Sequence, residues 1–134
     1  MTGTNPVPGK HRHLVWLSLA VGVLLAVIGI RFMIVPRTAA NNFGLARDTT
    51  GYELHYMVGL RDMWLGGLAA VLALIREWRA LAWWFALGTG VCLADALIAA
   101  ASSGKAAAIA FHAGSALLCG GMAAALFKRF GARP

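Results

Sequence analysis

Charge is what this sequence has least of. Asp, Glu, Lys and Arg together make up 13% of its 134 residues, where an ordinary soluble domain carries about a quarter. A soluble chain this short, with so few charges, could not hide its apolar surface. Cysteine is nearly absent as well. Cys92 and Cys119 both lie inside apolar runs with no C-x-x-C between them, which argues against a redox pair or a zinc site and for two buried, inert thiols. Nor is there a nucleotide-binding loop, a nucleophile motif or a metal-ligand spacing. Hydrolysis of nucleotides and metal redox chemistry are therefore poor fits, and neither a metal nor a cofactor is expected.

What is present points to lipid. The hydrophobic class reaches 60%, with 16 Gly and 5 Trp, and long apolar runs with Gly and interfacial Trp mark membrane proteins. The net charge of +7, from 12 basic and 5 acidic residues, would suggest nucleic acid in a soluble protein. Here the basic residues flank the apolar runs, so anionic membrane lipid is the expected partner and nucleic acid is not.

Four runs have the roughly 20 residues needed to cross a bilayer as helix: 14–35, 55–75, 80–101 and 106–127. The expected fold is thus all-α, an integral membrane four-helix bundle of one domain over 14–127. Before it lies a disordered tail, 1–13, and after it a basic tail, 128–134. The first run is too long for a signal peptide and lacks a clean cleavage site. Tight turns at 76–79 and 102–105 predict that the last three spans are antiparallel neighbours. A longer connector, Pro36 to Leu54, joins the first two. It is expected to hold a short amphipathic turn, with Phe43 and Leu45 inward and Arg47 and Asp48 outward.

Basic residues near the span ends divide unequally. Lys10, Arg12, Arg76, Arg79, Lys128, Arg129 and Arg133 fall on one side, and Arg37, Arg47 and Lys105 on the other. The positive-inside rule then places both termini in the cytoplasm, as expected for a multi-pass protein of a bacterial inner membrane. Gly22 and Gly29 on the first span, and Gly114, Gly120 and Gly121 on the fourth, predict close helix packing, within the chain or in a homo-oligomer.

Five residues contradict their apolar surroundings: Arg31, Arg61, Asp62, Asp95 and His112. Charges at membrane depth are rare and are paired or functional. Counting about 1.5 Å of rise per residue, all five fall roughly 8–11 Å from the outer boundary, so every span contributes to one level. Arg61 and Asp62 are adjacent and diverge by about 100° around a helix axis. Crosswise pairs to Asp95 and Arg31 are therefore expected instead, with His112 as donor or acceptor. Tyr52, Glu53, His55 and Tyr56 lie at the same mouth, where His55, Tyr56 and Tyr52 are candidate substrate contacts.

Gly29-Ile30-Arg31-Phe32, Pro36, Ala39-Ala40, Phe43-Gly44, Gly59-Leu60-Arg61-Asp62 and Gly66, with Asp95 and His112, form a pattern from Gly22 onward. It resembles a family of small, mostly uncharacterised bacterial four-helix membrane proteins. The resemblance implies the four-helix fold and draws attention to the five charged and polar residues, but it implies no activity.

The expectation drawn from the residues is an outward-facing polar pocket that binds a lipophilic small molecule. Asp62, Asp95 and His112 are the candidate acid, base and relay for a proton-transfer isomerisation or cyclisation. Arg61 and Arg31 are the candidates for stabilising negative charge. Two alternatives stand beside it. One is a proton-coupled small transporter. The other is a structural or assembly subunit whose ion pairs only fix helix register.

Overall fold

The computed structural model describes residues 12–46 and 51–131, and the described residues are all helix and short connections. In chain order they form α1 (Arg12–Ile34), α2 (Pro36–Phe43), α3 (Glu53–Leu74), α4 (Trp78–Ser102) and α5 (Ala106–Phe130). Four of the five are long and apolar enough to span a membrane, and helix is the form that satisfies every backbone polar group within its own segment there. Each of these four helices overlaps one of the expected runs, with α1 ending at Ile34 and α3 at Leu74. α5 runs past Phe127, through Lys128 and Arg129, to Phe130. Most of the expected N-terminal tail, together with Arg47 and Asp48, lies outside the described residues.

The surplus element is α2. Pro36 lacks an N–H and so breaks off α1 (Val35 departs from helical geometry, with φ −130°), then serves at the first position of a new helix. Gly44 closes that helix with φ +102°. The amide of Leu45 donates back to the Ala40 carbonyl at 3.0 Å, the closure typical of a left-handed C-terminal residue. The connector thus contains two turns of helix rather than one amphipathic turn. Phe43 and Leu45 do face inward, against the buried set Phe32, Ala39 and Ala40.

The long helices form two pairs. α1 packs along α3 and α4 packs along α5, while α3 and α4 share few contacts despite the tight turn between them. This corrects the expectation of three successive antiparallel neighbours. A short turn fixes only the ends of two helices, and the glycines decide which faces meet.

On α1, Gly22 and Gly29 meet Gly66 and Gly59 of α3. A methyl group added to Gly22 would stand 2.7 Å from the Gly66 carbonyl oxygen, and one on Gly29 would stand 2.5 Å from that of Gly59. Backbone lies against backbone at both points, which is how helices gain contact without a solvent-driven force. Gly114 and Gly121 behave differently: nothing lies within 4 Å of a methyl on either, and Gly120 meets only the Thr89 side chain at ordinary contact distance.

The two pairs are tied at both ends. At the end holding Arg12, Trp78 and Phe130, here called the turn end, Leu14 of α1 and Ala73 of α3 join Leu81, Phe85, Met122 and Leu126 in one buried cluster. At the opposite, loop end, α2 spans the gap. Much of the remaining surface is large apolar side chains such as Leu74, Leu97 and Leu117, as a lipid-facing exterior requires.

Adjacent glycines make a direct test. Gly66→Val should destabilise the protein by about 1–3 kcal/mol, the usual cost of overpacking. Gly67→Val, where a Cβ meets nothing within 4 Å, should stay within about 0.5 kcal/mol, as is usual away from packed features. Reversible unfolding in mixed micelles measures both, and equal effects would show that α1 and α3 do not pack on this seam. Gly44→Ala forces a side chain into left-handed geometry and against Ala99 and Ala108. It should cost about 1–3 kcal/mol by the same assay.

Candidate functional site

The polar residues gather at the loop end, where α2 closes the bundle. Asp62 of α3 is buried, and its Oδ1 accepts a 2.9 Å hydrogen bond from Nε of Arg61. Sequence neighbours therefore do pair, against expectation. The Arg61 stem is long enough to bring Nε around the helix to the next side chain, and 44% of that side chain stays exposed. Only Nε is used, so the terminal nitrogens of the fork point elsewhere. The crosswise ion pairs expected with Arg31 and Asp95 are absent among the described residues.

His112 of α5 is buried, and its Nε2 lies 3.0 Å from the Phe43 carbonyl oxygen at the end of α2. A carbonyl only accepts, so Nε2 carries the proton and donates it. In the neutral ring Nδ1 is then left as an acceptor. The rings of Phe43 and His112 stand 4.4 Å apart, and Phe43 also meets Phe32 of α1 edge-on at 5.9 Å. α2 is held to the α4–α5 pair by further bonds. Lys105 Nζ donates to the carbonyl oxygen and to the side-chain oxygen of Asn41, and the Ala46 amide donates to Ser102 Oγ at 2.9 Å. α2 is thus a clasp: covalently part of the α1 side, hydrogen-bonded to the other.

Between the pairs lies a cleft of about 600 Å³, within the range of small-molecule sites. Its walls are apolar for most of their length, with Leu25, Ile28, Leu65, Leu68, Val91 and Leu118 along them and Trp84 toward the turn end. Cys92 and Cys119 also line it as free thiols. Polar groups collect at the loop end, where Arg31, Arg61, Asp62, Asp95 and His112 all contribute to the lining. All five residues singled out from the sequence therefore share one cavity.

Two of the five have no bonded partner among the described residues. Arg31 is exposed near the end of α1, and Asp95 is half-buried on α4 without a hydrogen bond. Asp95 lies within electrostatic range of Arg61 and His112.

His55, Tyr52 and Tyr56 form a separate group that is not part of the cleft lining. The His55 ring is buried, with neither nitrogen hydrogen-bonded. It lies 6.0 Å from the ring of Tyr52 and 6.2 Å from that of Phe32. Tyr52 neighbours Tyr56 and carries Arg37 over its face at 5.6 Å. Glu53 opens α3 beside them.

Several contributors had no signal of their own in the sequence. The Phe43 carbonyl is backbone and invisible in a residue pattern. Asn41 and Lys105 are 64 residues apart, so their contact depends on where α2 docks. Trp84 reads as part of an interfacial belt with Trp16, Trp78 and Trp83, yet its ring faces the cleft.

No curated protein and no solved structure matches the chain. A family model does: residues 22–126 match the one described as a domain of unknown function, DUF4267. That stretch takes in the glycine seam, the clasp and every polar residue of the cleft. This multi-span helical membrane protein therefore belongs to the DUF4267 family.

Proposed function

We propose that the protein binds a lipophilic small molecule in the cleft between its helix pairs. The observation that carries this reading is the cleft itself: about 600 Å³, apolar along its length, with its polar lining collected at one end. An amphiphile matches that distribution, its tail along the leucines and its head among Arg31, Arg61, Asp95 and His112. The proposal is for binding. A proton transfer by Asp62, Asp95 and His112 needs a bond to act on, and no feature of the site selects one.

The bound state is tested by what the protein carries. Wild-type protein purified in mild detergent should yield a lipophile by solvent extraction and mass spectrometry, near one per chain. Gly88→Phe should fill the cleft, since a Cβ at Gly88 meets only Cys119 Sγ, at 3.8 Å. The expected result is about a tenfold loss of extracted lipophile, or roughly 1.4 kcal/mol, with helicity unchanged. An extract no richer than that of an unrelated four-helix protein would sink the reading.

A second reading is supported by the bonds already made. Asp62 is neutralised by Arg61, His112 is used on the Phe43 carbonyl, and Lys105 on Asn41. These bonds suit a structural or assembly subunit whose polar groups hold its helices in register. Under it, Asp62→Asn should cost about 1–2 kcal/mol, toward the low end for a buried pair because Arg61 is partly solvated or lipid-exposed. The joint replacement Arg61→Leu with Asp62→Leu should recover most of that stability. If the double variant also keeps every cellular phenotype and the extracted lipophile is nil, the structural reading replaces the binding one.

The charge bias of the two ends supports a cytoplasmic turn end and an outward loop end in a bacterial inner membrane. In a variant with Cys92 and Cys119 replaced by Ala, Ser103→Cys should react with an impermeant maleimide in intact cells. Glu77→Cys should react only after permeabilisation. The opposite pattern would invert the topology.

A further inference from the structure

The head chemistry of the ligand follows from which polar groups of the cleft remain unused, and this step rests on the binding reading above. On the α1–α3 wall the spare groups are donors. Arg31 of α1 makes no hydrogen bond or ion pair among the described residues, and Arg61 of α3 has committed Nε alone. On the α4–α5 wall the spare groups are acceptors. Asp95 of α4 has no hydrogen bond among the described residues, and His112 of α5 has Nδ1 left over once Nε2 is given to Phe43. All four residues line the same cavity. Asp62 belongs to the donor wall but is occupied by Arg61.

The formal charges of Arg31, Arg61, Asp62 and Asp95 sum to zero. A carboxylate head would suit the arginines but face Asp95 across the cleft. An ammonium head would suit Asp95 but face two guanidinium groups. Like charges brought together in an interface cost several kcal/mol, and a site built around hydrogen-bonding groups discriminates strongly against a head that leaves them unpaired. We propose that the cleft takes a neutral, single-tailed lipid whose head carries a carbonyl toward Arg31 and Arg61 and a hydroxyl toward Asp95 and His112, as a monoacylglycerol does.

The tail length comes from the walls. The lining runs from Val21 to Phe32 on α1 and from Trp84 to Asp95 on α4, a span of eleven residue steps in each case, or about 16 Å of helix axis. A dodecyl chain is a suitable probe for that length.

The experiment uses the full-length protein in nanodiscs of phosphatidylcholine, after removal of any co-purified lipid. Binding of four probes is followed by tryptophan fluorescence: dodecanoyl monoglyceride, dodecanoate, dodecylammonium and dodecyl methyl ether. The monoglyceride is expected to bind at least about tenfold more tightly than either ion, equivalent to roughly 1.4 kcal/mol. Asp95→Asn should move the preference toward dodecanoate, and Arg31→Gln toward dodecylammonium, each by about tenfold. Circular dichroism and the monoglyceride-free melting curve verify that both variants fold.

The outcomes separate the two claims. If dodecanoate or dodecylammonium equals or exceeds the monoglyceride in the wild type, the head assignment is wrong while the cleft still binds lipid. Preferences that do not move in Asp95→Asn and Arg31→Gln overturn it as well. If no probe binds, the ether included, the binding reading itself fails.

Discussion

The contact on which the rest of this bundle depends is the meeting of Gly22 with Gly66 and Gly29 with Gly59. In hydrocarbon, two apolar helices gain nothing from hiding leucines from water, because the lipid is as apolar as they are. What they gain is dispersion contact, and that grows as the axes approach. The spacing of seven residues on each helix repeats the glycine on one face after nearly two turns, so both contact points fall on a single seam. With α1 committed to α3 in this way, α4 is left to α5, and the molecule divides into two walls.

A two-walled bundle has a gap to manage. At the turn end the gap is filled by Leu81, Phe85, Met122 and Leu126 against Leu14 and Ala73. At the loop end it is bridged by α2, whose Phe43 offers a ring and a carbonyl to His112 and whose Asn41 receives Lys105. Neither tie reaches the middle, and the cleft is what remains there. The clasp also has a local chemical effect. By accepting the hydrogen bond of the His112 Nε2–H, the Phe43 carbonyl of α2 fixes which ring nitrogen carries the proton.

Much of this was legible in the residues. Apolar length gave four spans, because lipid allows little other than helix. The five polar residues were recognisable as one group by their equal depth, since rise per residue is a fixed quantity, and all five do line one cavity. The pairing of helices was not legible. Glycines that pack and glycines that face outward have the same letter and, on α1 and α5, the same spacing; only Gly22 and Gly29 find glycines opposite them. The pairing of charges failed for a related reason. An angular argument treats side chains as spokes, but Arg61 is long and bends, so the 100° between neighbours does not keep Nε from Asp62. His55 and the two tyrosines share the loop end with the cleft but form their own aromatic group, a distinction that depth alone does not make.

The division into walls also gives the charges a meaning that their depth did not. Taken as a ring at one level, Arg31, Arg61, Asp62, Asp95 and His112 look like a network that closes on itself, and a closed network is a structural device. The seam changes that. Because α1 and α3 pack as one wall, both arginines lie on the same side, and the Arg61–Asp62 bond is made within that side and does not cross the cleft. Asp95 and His112 lie on the other wall. An ion pair that fixed the register of the two walls would have to cross between them, and none among the described residues does. The hydrogen bonds that do cross lie at the two ends: at the loop end from Asn41 and Phe43 of α2 and Ala46 just beyond it, and at the turn end between Arg129 of α5 and His13 of α1, 3.4 Å apart. The two walls are thus held at their ends, by the clasp at one and by packing and the Arg129–His13 contact at the other, and no ion pair among the described residues joins the guanidinium groups of one wall to the Asp95 carboxyl of the other.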